Sequence, residues 1–312
     1  YGTAWFSKKD LKEYLTRLEE AEKRDHRKLG RELGIYMMDE AAGVGLPLYL
    51  PKGARIIRLM QEWLRKNLYK RGYEEVITPH VYKSDVWKTS GHYGYYKENM
   101  YFFNINEGTD DEPRLQEYGV KPMNCPGHVI LYKNDIHSYR DLPVRYFEFG
   151  TVYRHEMSGA VHGLMRARGF TQDDAHVFCT PDQVVDEVCA ILDTADYIMK
   201  EFGFDYEAEI STRPEKSIGT DDMWDLATDA LRQALDRRGL EYEINEGDGA
   251  FYGPKIDIKV KDAIGRTWQC STIQVDFNLP ERFDMTYRTA DNGEARPFML
   301  HRALFGSIER FL

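Results

Sequence analysis

Residues 144–154 read Val-Arg-Tyr-Phe-Glu-Phe-Gly-Thr-Val-Tyr-Arg, and residues 169–180 read Gly-Phe-Thr-Gln-Asp-Asp-Ala-His-Val-Phe-Cys-Thr. Both are rich in aromatic and β-branched residues, so each reads as a strand. The loop between them carries Ser158, Gly159 and Gly163. Further on, Glu241–Phe277 breaks into short strands at Gly247-Asp248-Gly249, Gly253-Pro254 and Asp262–Gly265. Strands therefore come in adjacent pairs and do not alternate strictly with helices. The sequence predicts an α+β fold with a mainly antiparallel sheet flanked by helices, and disfavours a doubly wound nucleotide fold.

Helical spacing surrounds these strands. Leu11, Leu15 and Leu18 predict an amphipathic helix within Lys8–Leu29. Ile56, Ile57, Met60, Trp63, Leu64 and Leu68 form the apolar stripe of a second, over about Ala54–Tyr69, which Gly72 ends. Tyr73–Thr78 then reads as a strand closed by Pro79. Pro126 suits the first turn of a helix reaching about Ile136, with Asn124 or Cys125 just before it. Thr180, Pro181 and Gln183 make a capping-box start for a helix stopped by Gly203, and Asp221–Arg238 gives another before Gly239. The last element is expected to be a helix from about His301.

The 312 residues include 52 acidic and 42 basic side chains, a formal net charge of −10, with 42% hydrophobic and 30% charged residues. That is ordinary for a globular protein and long enough for one large domain or two. No apolar run approaches the roughly 18 residues that cross a bilayer. Four scattered cysteines, Cys125, Cys179, Cys189 and Cys270, suit reduced thiols and a cytoplasmic setting better than a disulfide framework. Residues 1–71 hold 16 basic and 10 acidic residues, a pattern that fits a solvated helix face, and the acidic total argues against dominant non-specific nucleic-acid binding. The absence of an initiator Met and the end at Phe311-Leu312 lead us to expect a fragment of a longer polypeptide.

Neither a Gly-x-x-x-x-Gly-Lys-Ser/Thr loop nor a Gly-x-Gly-x-x-Gly turn is present, so a bound nucleotide would be held by side chains on the sheet. Arginine suits that task because its planar fork meets phosphate oxygens bidentately. Arg154 at a strand end, Arg166 in the loop and Arg310 near the end of the chain are the candidates.

Those arginines sit inside a recognisable set. Tyr73-Glu-Glu-Val-Ile-Thr-Pro79 resembles motif 1 of the class II aminoacyl-tRNA synthetases, Val152-Tyr-Arg-His-Glu156 resembles motif 2, and His301-Arg-Ala-Leu-Phe-Gly-Ser-Ile-Glu-Arg310 resembles motif 3, although only Gly306 remains of its usual glycines. Longer strings resemble the threonyl-tRNA synthetase family in particular: Met123-Asn-Cys-Pro-Gly-His128, Arg168-Gly-Phe-Thr-Gln-Asp-Asp-Ala-His176, Gly249-Ala-Phe-Tyr-Gly-Pro-Lys255 and Trp268-Gln-Cys-Ser-Thr-Ile-Gln274. The resemblance runs along essentially the whole chain, including Arg24-Asp-His-Arg-Lys28.

The resemblance implies a ligase that joins L-threonine to ATP as threonyl-adenylate and passes the threonyl group to the 3′ end of tRNA(Thr). It implies one Zn²⁺ per subunit on Cys125, His176 and His301, with His128, His155 and His162 as weaker candidates, and Mg²⁺ with ATP. One thiolate and two imidazoles leave a position open for the substrate hydroxyl, which valine lacks; an apolar pocket separates such near-isosteres only by roughly 10²-fold. Arg154 is expected at the α-phosphate, Glu156 at the adenine amino group, Phe170 stacked on adenine, and Arg310 with Arg166 at the outer phosphates. Gln172, Gln269 and Thr272 would line the nucleotide pocket. Met123, Asp174, Tyr252 and Gln274 would surround threonine, with Lys255 near the developing phosphate charge.

By the same resemblance, residues 1–34 would be a linker helix leading into a catalytic domain of residues 35–312, which would dimerise through motif 1. Editing and anticodon-binding modules are not expected within these residues. Alternatives are another zinc-dependent class II synthetase, of the seryl type, or a non-catalytic synthetase paralogue, although the paralogue would normally have lost part of the motif set. A zinc hydrolase is disfavoured because no His-Glu-x-x-His helix is present.

Overall fold

A computed structural model describes residues 2–262 and 265–312. Its centre is an eight-stranded sheet. In chain order the strands are β1 (Glu74–Glu75), β2 (Val144–Tyr153), β3 (Gly169–Cys179), β4 (Tyr206–Ser211), β5 (Tyr242–Asn245), β6 (Lys255–Lys261), β7 (Thr267–Asp276) and β8 (Phe298–Ser307). Across the sheet they run β5-β4-β6-β7-β8-β3-β2-β1. Every pair is antiparallel except the two at the edges, β5 with β4 and β1 with β2. The mainly antiparallel α+β expectation therefore holds.

Alternation sorts the residues of each long strand between two faces. On β3, Ala175, Val177 and Cys179 join the core with helices Val184–Glu201 and Asp221–Arg238, through Val188, Ile191, Leu192, Leu231 and Leu235. Leu64 and Leu68 of helix Pro51–Tyr69 complete that layer. The alternate residues of β3 face the opposite side, where Phe178 packs against Val129 and Tyr132 of helix Cys125–Tyr132 and the cavities described below open beside that helix. Burial of the helix side supplies most of the stabilisation, since each large apolar side chain removed from water contributes roughly 1.5–3 kcal/mol.

Four expectations need correction. The first helix is two, Lys8–Lys23 and His26–Glu32, because Asp25 turns its carboxylate back to the Arg27 N–H at 2.8 Å and starts a new helix. Leu11, Leu15 and Leu18 all remain exposed. The strand expected over Tyr73–Thr78 pairs only at Glu74–Glu75. The segment from about His301 is strand β8, not helix, and only Ile308–Phe311 is helical. Met299 through Phe305 are buried without a break, so both faces of β8 are covered and the alternation that marks a half-exposed strand is lost. The helix expected to reach Ile136 is also shorter, Cys125–Tyr132.

Helix Asp221–Arg238 has its expected bounds, with the Thr220 hydroxyl accepting from the Met223 N–H and Gly239 closing it at φ +61°. The expected turn at Asp262–Gly265 includes residues 263 and 264, which lie outside the described residues. Between Val81 and Val120 a separate three-stranded antiparallel sheet stands beside the main one, an element the periodicity did not reveal. Among the described residues, no helix is long and apolar enough to cross a membrane.

Candidate functional site

The open side of the sheet carries two adjoining cavities. Arg154, Glu156, Arg166, Phe170, Gln172, Gln269, Thr272 and Arg310 line the first, of about 320 Å³. Met123, Cys125, Asp174, His176, Tyr252, Lys255, Gln274 and His301 line the second, of about 270 Å³. Arg154, Gln172, Gln269, Thr272 and Ala303 border both and form the wall between them. Every residue expected in the nucleotide, threonine or zinc set is thus on one of these two surfaces, while the weaker zinc candidates His128, His155 and His162 are on neither.

Sheet register explains how distant residues meet. On β3, Phe170, Gln172, Asp174 and His176 fall at every second position, so all four face the cavities. His301 on β8 stands directly opposite His176 on one side and Gln274 of β7 on the other, while Ala303 stands opposite Asp174 and Thr272. Cys125 comes from elsewhere, as the first residue of helix Cys125–Tyr132, and is buried.

In the first cavity the basic groups are braced from behind. Arg154 Nε donates to the Pro122 carbonyl at 3.1 Å, and its guanidinium lies 5.1 Å from the centre of the Phe170 ring. Arg310 donates from Nε to the Met165 carbonyl at 3.1 Å and from Nη1 to the Gln269 carbonyl at 3.2 Å. Arg166 donates to Glu156 Oε2 from Nε at 3.1 Å, with Nη2 at 2.9 Å. Glu156 is therefore paired across the cavity mouth, and Phe170 already packs against a cation.

The wall has its own support. Gln269 Nε2 donates to Asp257 Oδ1 at 2.5 Å, and the Thr272 hydroxyl donates to the same carboxylate. Lys255 Nζ lies 2.8 Å from Asp257 and 3.2 Å from Asp248. Burial pulls the Lys255 ammonium down, but those two carboxylates outweigh it and raise its pKa above the usual lysine value.

In the second cavity Asn124 Nδ2 donates to Asp174 Oδ2 at 3.0 Å, and the Tyr252 hydroxyl donates to Gln274 Oε1 at 2.6 Å. The Met123 sulfur is 3.0 Å from Nε2 of the buried His92. Burial raises the Asp174 carboxyl above the ordinary range.

One sulfur and two ring nitrogens, from Cys125, His176 and His301, converge with their ligand atoms all within 4.8 Å of one another. His301 Nε2 is 2.8 Å from Asp276 Oδ2, which leaves its Nδ1 facing His176 Nε2 at 3.0 Å. Burial, with His301 and His128 beside it, holds the His176 imidazole well below its usual pKa, so it is neutral. Burial, then Asp174 and Asp276, push the Cys125 thiol well above the usual thiol range. A cation is the natural partner of a thiolate in such a place. The donor set and its spacing fit a tetrahedral zinc with one position left for a ligand.

Of the weaker candidates, His128 turns its Nε2 to Glu148 and its Nδ1 to His176. His155 packs on Tyr101 and His162 on His26, neither lining the second cavity. Cys179 is in the core, Cys189 is half-buried, and Cys270 lines the first cavity away from the cluster.

Comparison with known proteins bears on the family and the fold. The profile of the tRNA synthetase class II core domain (G, H, P, S and T) matches residues 101–312. The crystal structure of the RNA binding domain of threonyl-tRNA synthetase from Cryptosporidium parvum Iowa II superimposes with a TM-score of 0.88 at 46% identity, over 92% of this chain and 70% of that one. This chain belongs to the threonyl-tRNA synthetase family. The threonine–tRNA ligases of Campylobacter lari and of Geobacter sp. strain M21 are 57% and 56% identical over all 312 residues. The chain spans about half the length of these curated relatives, 50% and 48%. Its fold is the class II synthetase core.

In this threonyl-tRNA synthetase core, Asn124, His128, Asp257 and Asp276 support the candidate residues, and sequence reasoning assigned none of them that task. Asn124 and His128 sit within the Met123–His128 string, which was the available signal. Asp257 and Asp276 lie on strands β6 and β7 with no local pattern to mark them.

Proposed function

We propose that the chain is the catalytic core of a threonine–tRNA ligase. The observation that carries this reading is the shared wall: a cavity braced by arginines adjoins one holding a thiol and two imidazoles. Such a pair suits a triphosphate meeting a small amino acid that bears a hydroxyl. On this reading Arg154 holds the α-phosphate where the threonine carboxylate attacks, and Arg310 with Arg166 and Mg²⁺ holds the departing pyrophosphate. Binding both reactants side by side and neutralising developing charge supply most of the rate enhancement.

The adenine lies against Phe170, with Glu156 reaching its amino group once Arg166 swings to the phosphates. Gln172, Gln269 and Thr272 line the ribose and phosphate side of the wall. Asp174, Tyr252, Gln274 and Met123 enclose threonine, and Lys255 lies near the developing phosphate charge. Cys125, His176 and His301 hold one Zn²⁺, which supplies a Lewis-acidic centre selective for an amino acid with both amino group and hydroxyl. The threonyl group then passes to a ribose hydroxyl at the 3′ end of tRNA(Thr).

Residues 1–34 lead into a catalytic unit of residues 35–312, and the cytoplasm is the setting. A homodimer through the motif 1 segment is supported by the edge position of β1 and the full exposure of Ile77 beside it. The test is ATP–pyrophosphate exchange with threonine, serine and valine, alongside metal analysis. Exchange strongest with threonine, weaker with serine and absent with valine is expected. Exchange driven by serine alone would assign the chain to a seryl-type enzyme, and no exchange with any of them would refute catalysis by this core.

A further inference from the structure

Behind His176, on the side away from His301, lies a buried chain of polar groups that the proposed reaction does not use. His176 Nδ1 is 2.8 Å from His128 Nδ1, and the two rings stand at 88°. His128 is fully buried, and its Nε2 lies 3.3 Å from Glu148 Oε1. The Glu148 carboxylate, 3% exposed, accepts from the Thr78 backbone N–H at 3.1 Å and from the Thr78 hydroxyl at 2.8 Å. Lys121 Nζ lies 3.5 Å from the same carboxylate and donates to the Thr78 hydroxyl at 2.9 Å. A carboxylate held by Thr78 and Lys121 is a fixed acceptor, and although the contact from His128 Nε2 lies outside hydrogen-bond geometry, its 3.3 Å approach favours the tautomer with the proton on that nitrogen.

The remaining protons follow by elimination. With hydrogen on His128 Nε2, its Nδ1 is an acceptor, and His176 Nδ1 must donate to it. His176 Nε2 is then left with a lone pair pointing toward His301 Nδ1, 3.0 Å away. His301 is set in the same way by Asp276, which is itself pinned by the N–H groups of Asn278 at 2.7 Å and Leu279 at 3.0 Å. Two lone pairs facing at that distance repel unless a cation lies beside them. Asp174 Oδ1 lies 3.8 Å from His176 Nε2, beyond hydrogen-bond reach, and among the described residues His128 is what faces Nδ1, carrying the influence of Glu148 across the gap.

We propose that the Glu148–His128 pair is a positioning device for His176, fixing the tautomer and ring direction that make its Nε2 a metal ligand. The inference rests on the reading of Cys125, His176 and His301 as a zinc site. Partners that orient a metal-binding histidine typically change metal affinity 10–100-fold when removed.

The test uses the zinc-loaded chain and competition with a chelator. First, the unsubstituted chain should take up about one zinc and Cys125→Ser should not; failure there removes the zinc site itself. Second, His128→Leu should bind zinc about 10–100-fold more weakly, whereas His128→Asn, whose Oδ1 replaces Nδ1 as acceptor, should stay within about threefold of the parent. A packing role would favour leucine over asparagine in this buried place. Unchanged affinity in His128→Leu, or equal losses in both variants, overturns the inference while leaving the zinc site standing. Third, ¹⁵N NMR of the unsubstituted holoprotein should show His128 protonated on Nε2 and bare on Nδ1. A proton on Nδ1 overturns the inference without any variant having to fold.

Discussion

Asp173 Oδ1 accepts a hydrogen bond from the backbone N–H of Gly306 at 2.9 Å, and its other oxygen accepts from the N–H of Leu304 at 2.7 Å. That clasp holds β8 where it loses register with β3 between Ala303 and Ser307. The irregularity turns Ser307 and Arg310 toward the first cavity, which both residues line. Gly306 sits there at φ +77°, and a Cβ would come within 2.4 Å of the Cys270 carbonyl oxygen.

Gly306→Ala should therefore destabilise the fold by about 2–4 kcal/mol, from the left-handed backbone and the clash together. It should also raise KM for ATP in pyrophosphate exchange, because Arg310 is carried by the displaced segment. Thermal unfolding and exchange kinetics check both; an unchanged melting temperature with unchanged KM would show that the bend is not fixed as described.

Arg310→Lys should lose at least about tenfold in threonine-dependent exchange, and Arg310→Ala or Arg154→Ala about 100-fold or more. The Arg310 fork donates to two carbonyls at once, and an ammonium on a flexible stem cannot reproduce that bracing. Near-normal exchange in either alanine variant would remove that arginine from the mechanism.

Cys125→Ser should lower bound zinc from about one equivalent to near zero and weaken discrimination against valine in parallel. The two readouts are linked because the same ion would hold the hydroxyl. Full zinc content with unchanged valine rejection would contradict the proposed ligand set.

Stability should carry a pH signature from Glu75. Its carboxylate takes hydrogen bonds from Arg65 at 2.7 and 2.8 Å and from the Tyr69 hydroxyl at 2.9 Å. The Arg65 bonds, outweighing partial burial, hold the carboxyl below the usual 4.5. A depressed folded pKa stabilises the fold fully above the unfolded value and ceases to do so as pH falls through the folded one. Glu75→Gln should thus cost about 1 kcal/mol at pH 7, a shift of roughly 2 °C, with the gap closing below about pH 4. A gap that persists at pH 3 would mean that the charge is not its source.

Some of this was plain in the sequence and some could not be. The helix Asp221–Arg238 was legible because Thr220 starts it and Gly239 ends it, both local signals. Strands β2 and β3 were legible from their aromatic and β-branched content. Strand β8 was misread because burial on both sides erases the period of two. His176 and His301 are 125 positions apart, and only sheet register makes them neighbours; no spacing rule nominates such a pair, and the family resemblance did. Asp25 broke the first helix by capping a new one, which a reading of leucine spacing alone overlooks.

Strand β3 serves the two cavities from one continuous run, with Gln172 at the wall and His176 beside Cys125 and His301. At roughly 3.3 Å per residue it works as a ruler that sets Gln172 and His176 about 13 Å apart along its length. A side chain on it can be exchanged without disturbing its neighbours, but inserting or deleting one residue would turn every later side chain to the opposite face. Evolution can retune this strand letter by letter and cannot change its count, so gaps between Gly169 and Cys179 should be missing from any working relative.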